Sequence, residues 1–171
     1  MLFRSSDSAP PPPPLLQKIR GDLKTAMRAK EATRLGVLRS VLAATLNASK
    51  TATPINTDAQ LVALLRKMAR ASQDAAEEFR GAGRGDLEQK EQEQIKILDE
   101  YVAGSGVQAV SEDELRFIIG EAMAAITTEG KGQTQAKAGN VMKKLLAPGG
   151  PLEGKSVDKA ELAQLVKKVV G

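Results

Sequence analysis

The sequence predicts an all-α protein, and three observations carry that expectation. Ala, Leu, Lys, Glu and Gln are abundant while aromatic residues make up only 2% of the 171 residues. Those abundant types pay little or no side-chain entropy in a helix. Apolar residues also recur at three- and four-residue spacing from Leu15 to Val170, and no segment alternates as a strand would. Finally, Gly, Pro and capping signatures fall where such stripes stop and start. The expected architecture is a four-helix N-terminal unit with a long helical hairpin, followed by a small three-helix unit.

Residues 1–14 are expected to stay outside any core as a disordered Pro-rich segment, Pro10 to Pro14 forming a short polyproline II spacer. The first helix carries Leu16, Ile19, Leu23, Ala26 and Met27 inward, and the second Leu35, Leu38, Leu42 and Leu46, with the turn at Ala32–Thr33. Pro54 breaks the chain. Thr57 and Gln60 then form a capping-box signature, opening a long helix with Leu61, Leu64, Leu65, Met68, Ala75 and Phe79 on its apolar side. Gly81, Gly83 and Gly85 end that helix, and Asp86 is the expected N-cap of the next, which carries Leu87, Ile95, Leu98 and Val102.

Gly104, Ser105 and Gly106 read as a linker, so the expected domains are 15–103 and 107–171. In the second, Ser111 and Glu114 form another capping signature before a stripe of Leu115, Ile118, Ile119, Met123 and Ile126. Gly130 and Gly132 interrupt it. A short helix follows with Val141, Met142, Leu145 and Leu146, then a turn at Pro148–Pro151. Asp158 and Glu161 cap a last helix holding Leu162, Leu165, Val166, Val169 and Val170.

Composition removes whole classes of chemistry. The chain has neither Cys nor His. Disulfides, thiolate or imidazole metal sites and Ser–His or Cys–His catalysis are therefore excluded. No apolar run of about 18 residues is present to span a membrane. Gly149 to Ser156 matches the phosphate-loop expression, but a helical stripe precedes it and Pro151 removes a backbone donor, so an inter-helix turn is the better reading. The Gly81–Gly85 run joins two helices and reads as a turn. The acids Glu88, Glu91, Glu93, Asp99 and Glu100 alternate with Gln and Lys, as on a solvated face. Neither a catalytic site nor a cofactor or metal site is expected.

The net charge of +4 is unevenly placed. Lys18, Arg20, Lys24, Arg28, Lys30, Arg34 and Arg39 face only Asp22 and Glu31 between Leu15 and Ser40, and eight Lys lie from Lys131 onward, while the middle is acidic. Such a distribution suits a polyanion touched at two places, although ordinary solvated helix faces would look the same. The scarcity of aromatics disfavours stacking of single-stranded bases, leaving a folded RNA read through its backbone. Lys24, Arg28, Arg34, Arg39, Lys137, Lys143 and Lys144 are the candidate phosphate contacts. Arg84 and Asp86 are candidates for fixing the turn between the long helices.

Glu78, Phe79, Ala82, Gly83, Arg84, Asp86 and Leu87, followed by Glu91, Ile97, Leu98 and Tyr101, closely resemble the YqeY family. So do Leu16, Lys24, Ala26, Met27, Lys30, Arg34, Leu35, Val37, Leu38 and Arg39 at the start, and Gly139 to Met142 near the end. The likeness covers Leu15 to Val170. It departs at Val102–Gly104, where the family often has Leu-Pro after the Tyr, and at Pro148–Ser156, usually a Lys-rich turn. The family is related to the tail domain of the GatB subunit of tRNA-dependent amidotransferases. The resemblance implies a four-plus-three-helix fold, tRNA as partner, amidotransferase subunits as associates, and a family-level label of carbon–nitrogen ligase with glutamine as amido donor. With Arg4, Ser5 and Ser6 read as a presequence remnant, it implies the mitochondrial branch and the matrix, the cytoplasm being the alternative. A helical protein–protein adaptor that binds no nucleic acid is the rival expectation.

Overall fold

A computed structural model describes residues 11–129, 137–153, 155–157 and 159–171. The chain divides into two compact units, Met1–Ser105 and Gly106–Gly171. Among the described residues all regular structure is helical: α1 (Pro14–Ala29), α2 (Ala32–Ser49), α3 (Asp58–Gly81), α4 (Gly85–Gly104), α5 (Glu112–Glu129), α6 (Ala138–Leu145) and α7 (Lys159–Val170). An isolated bridge between Ala109 and Ser156 is the only strand-like pairing there.

In the first unit α3 and α4 run along each other, α1 packs on α2 and α3, and α2 on α4. Pro14 is not part of a spacer but the first residue of α1, where its missing N–H costs nothing, and Pro13 before it is buried. The next free donor, the Leu15 N–H, reaches the Asp58 carboxylate at 3.0 Å. That carboxylate sits in the first turn of α3, so a single acid serves the starts of two helices. The expected capping box is present: Gln60 N–H donates to Thr57 Oγ1 and the Thr57 N–H donates to Gln60 Oε1, each at 3.2 Å.

The α3–α4 turn is closed by backbone. Gly83 adopts a left-handed φ of 69°, and the Arg84 N–H donates to the Phe79 carbonyl at 2.8 Å, satisfying a carbonyl the helix end leaves free. Asp86 is not the N-cap of α4: the helix starts at Gly85, and Arg84 precedes it without a side-chain cap. Asp86 lies instead in the first turn, where negative charge suits the helix dipole.

Burial sharpens the expected stripes. Leu16, Ile19, Ala26, Leu38, Leu61, Leu65 and Leu98 are buried as their spacing predicts, and Val37, Val41, Val62, Ala76, Ile97 and Tyr101 join them. Met27 and Leu46, expected inside, are 53% and 59% exposed. Each is the last residue of its stripe. In the second unit Leu115, Ile118, Ile119, Ala122, Val141, Leu145, Leu152, Leu162, Leu165 and Val166 make one apolar cluster among α5, α6 and α7. Leu146 and Val169 are exposed at the far ends of their helices. The Ser111 hydroxyl accepts from the Glu114 N–H at 3.2 Å, as expected of a cap. Gly130, Gly132 and Asp158 lie outside the described residues.

Candidate nucleic-acid interface

The α1–α2 hairpin turns at Lys30–Glu31, two residues earlier than the spacing suggests. Lys30 takes a left-handed φ of 56°, and the Glu31 N–H donates to the Ala26 carbonyl at 3.1 Å, ending α1 at Ala29. Lys24 and Arg28 therefore lie along the last turns of α1, and Arg39 lies in α2 beyond the reversal. All three are exposed, and none has a carboxylate partner among the described residues. Arg20 shares that condition and stands four residues before Lys24, which stands four before Arg28. Residues at this spacing occupy one side of a helix. Arg20 was absent from the candidate set, although its spacing alone could have added it.

Arg34 is different. Its Nη2 pairs with Glu100 Oε2 at 2.9 Å and its Nε with Glu31 Oε2 at 3.2 Å, leaving the side chain 31% exposed. The hydrogen bond to Glu100 raises its pKa above the ordinary arginine value, outweighing partial desolvation. Beside it, the Tyr101 hydroxyl donates to Asp22 Oδ2 at 2.7 Å, Lys18 donates to the same oxygen at 2.8 Å, and the Lys18 ammonium lies 5.2 Å from the centre of the Tyr101 ring. Burial and the Asp22 hydrogen bond push the Tyr101 hydroxyl up to about 12. Burial also pushes the Asp22 carboxyl up, but the hydrogen bonds from Lys18 and Tyr101, with the charges of Lys18 and Arg34, together hold it below the ordinary aspartate value. Arg34 thus joins a polar node tying α1, α2 and α4 together and leaves the group of unengaged cations.

In the second unit Lys137 and Lys143 are exposed, and neither has a carboxylate partner among the described residues. Lys144 is half-buried and already engaged in an interaction within the chain. Lys143 and Lys144 lie in the last turn of α6, where positive charge complements the dipole, while Lys137 precedes its first turn. Lys137 and Lys143 are six positions apart, about 9 Å along the axis at the helical rise.

Arg84 Nε and Nη2 each donate to Asp86 at 3.2 Å, a forked pair across the α3–α4 turn. That hydrogen bonding raises the Arg84 pKa and lowers that of Asp86. Glu88 accepts from Arg80 Nε at 2.7 Å across the same turn, so one of the central acids is a structural partner rather than a free carboxylate. Among the described residues no group of three or more acids could hold a metal ion. In the phosphate-loop-like stretch Lys155 is paired with Glu114 of α5 at 2.6 Å. A Cβ on Gly150 would meet the Ala147 carbonyl at 2.8 Å, so this glycine serves close backbone packing after α6. Gly154 lies outside the described residues.

The sequence profile of the family described as Yqey-like protein matches residues 16–170. The chain belongs to the YqeY family. It is 35% identical over 167 residues to altered inheritance of mitochondria protein 41, mitochondrial, of Pyrenophora tritici-repentis, covering 98% of this chain and 86% of that one. A protein of the same name from Clavispora lusitaniae is 29% identical over 113 residues, 66% of this chain and 65% of its own. An uncharacterized protein of Schizosaccharomyces pombe is 31% identical over 101 residues, 59% of this chain and 80% of its own. These relatives assign the chain to the mitochondrial branch of the YqeY family and to the mitochondrion. No helix among the described residues is long and apolar enough to cross a membrane.

Proposed function

We propose that this YqeY protein is a tRNA-binding accessory module associated with glutamine-dependent tRNA amidation in mitochondria. The observation that carries the reading is the sorting of cations in the first unit. Lys18, Arg34, Arg80 and Arg84 are each paired with a carboxylate, whereas Lys24, Arg28 and Arg39 on the α1–α2 hairpin, like Arg20 and Lys30 on it, have no carboxylate partner among the described residues. Unpaired, exposed cations on rigid helices are what a phosphate backbone needs, because binding then breaks no internal ion pair and releases counterions. Lys137 and Lys143 offer a second such place, with Lys144 beside them. The carbon–nitrogen ligase chemistry attached to the family belongs, in this reading, to partner subunits that carry the reacting groups, with this chain holding the RNA.

The test is binding of the full chain to tRNA between about 50 and 200 mM salt, where phosphate contacts lose affinity steeply. Lys24→Glu, Arg28→Glu and Arg39→Glu combined should weaken binding and flatten the salt dependence by roughly one slope unit per lost contact. An unchanged affinity and slope, with the helical content intact, would remove the hairpin from the interface and the reading with it.

A further inference from the structure

Phe117 is 66% exposed, more than any other large hydrophobic residue described. It lies on α5, whose Leu115, Ile118, Ile119 and Ala122 fill the core of the second unit, and the three-and-four spacing places it on the opposite side. The fold does not need this ring. Asp113 and Glu121 stand four residues before and after it, about one helical turn on either side, and both are exposed. Neither has a cationic partner among the described residues, whereas neighbouring Glu112 is paired with Arg116 and Glu114 with Lys155. At Gly120, on the same side, an added Cβ would meet no atom within 4 Å, leaving open space beside the ring.

We propose that this outer face of α5 docks a basic amphipathic helix of a partner protein, its apolar residues against Phe117 and over Gly120, its Lys or Arg residues on Asp113 and Glu121. Charge decides the occupant. A second copy laid α5 on α5 would set Asp113 against Glu121 if antiparallel, or each acid against its own counterpart if parallel, so pairing of this face with itself is opposed either way. Phosphate backbones and anionic lipid surfaces meet the same two carboxylates and are repelled. A helix is the partner shape that meets residues at four-residue spacing along another helix. The inference concerns the second unit and stands independently of the RNA reading.

The experiment places a photoreactive Phe117→p-benzoylphenylalanine in the full chain, irradiates it in intact mitochondria, and maps the joined segment by mass spectrometry after ribonuclease treatment. The expected product joins a segment rich in Lys and Arg with apolar residues every three or four positions. Asp113→Lys with Glu121→Lys should cut its yield tenfold or more, and replacing the mapped cations by Glu should restore it. The neutral pair Asp113→Asn with Glu121→Gln serves if the reversed variant loses helical content, and should lower the yield severalfold. No joined segment, a segment of a second copy, or a yield indifferent to both pairs of substitutions would overturn the proposal.

Discussion

The two units of this YqeY protein solve the same problem, joining helices, in different ways. In the second, α5, α6 and α7 meet through one apolar cluster, and the Lys155–Glu114 pair lies outside it. In the first, α1, α2 and α4 meet through apolar residues and also through the node of Asp22, Tyr101, Lys18, Arg34 and Glu100. An apolar cluster carries no titrating group, so pH leaves its contribution unchanged. A node of directed hydrogen bonds fixes how one helix lies on another and responds to protons. A fixed angle matters most where two helices present charges to a partner, and the node ties together the two helices of the hairpin that carries Lys24, Arg28 and Arg39.

The largest expected effect tests the apolar side of this contrast. Leu162 is fully buried, so Leu162→Ala should cost about 2–5 kcal/mol in denaturant unfolding followed by helical circular dichroism. The cost should be the same at neutral pH and at pH about 11, since no titrating group is removed. A strong pH dependence of that cost would break the comparison.

Tyr101→Phe tests the polar side and should cost about 1 kcal/mol at neutral pH through loss of the hydrogen bond to Asp22. Here pH must matter. The Tyr101 pKa is raised to about 12 in the fold, so its contribution is complete below the ordinary tyrosine value near 10 and is lost as pH rises through about 12. Wild type and Tyr101→Phe should therefore converge between those values. At the acid end the sign reverses: the Asp22 pKa is lowered, so its contribution is present above the ordinary aspartate value and disappears as pH falls through the folded one. Parallel stability curves across the alkaline window would deny the node its role.

The smallest effect separates two arginines five residues apart. Arg34→Ala should cost up to about 1 kcal/mol, discounted because its pairs remain partly solvated. Arg39→Ala should leave stability within about 0.5 kcal/mol. For tRNA affinity the order should invert, with Arg39→Ala the weaker binder. Equal behaviour of the two in both measurements would erase the distinction between holding and offering a charge.

Much of the fold was legible because helices are written locally. The Thr57 and Gln60 box, the Gly83 stop and the Leu115–Ile118–Ile119 stripe each act over a few residues, and each appears as read. The misreadings sit where local signals compete. Asp86 is as good a cap as any by composition, yet backbone closure at Gly83 and Arg84 fixes the helix start first. Spacing puts the turn after Arg28 too late because Lys30 is an unusual residue for a left-handed conformation, which costs a side chain roughly 1–2 kcal/mol. Met27 and Leu46 continue their stripes in sequence, but a stripe does not state where its partner helix ends.

The candidate interface was legible as a region and not as a residue set. By itself the sequence determined the helical class, the basic character of the first hairpin, and the absence of Cys and His, because composition and short-range periodicity suffice for these. Only the tertiary structure decided which cations are engaged. Arg34 finds Glu100 across 66 residues of chain and Tyr101 finds Asp22 across 79, separations at which no spacing rule operates. The spacing alone sets Phe117 off the Leu115–Ile118–Ile119 stripe, but that nothing covers it follows only once α6 and α7 have packed on the other side of its helix. Helices form from near neighbours in the chain, but pairing and exposure follow from which helices meet.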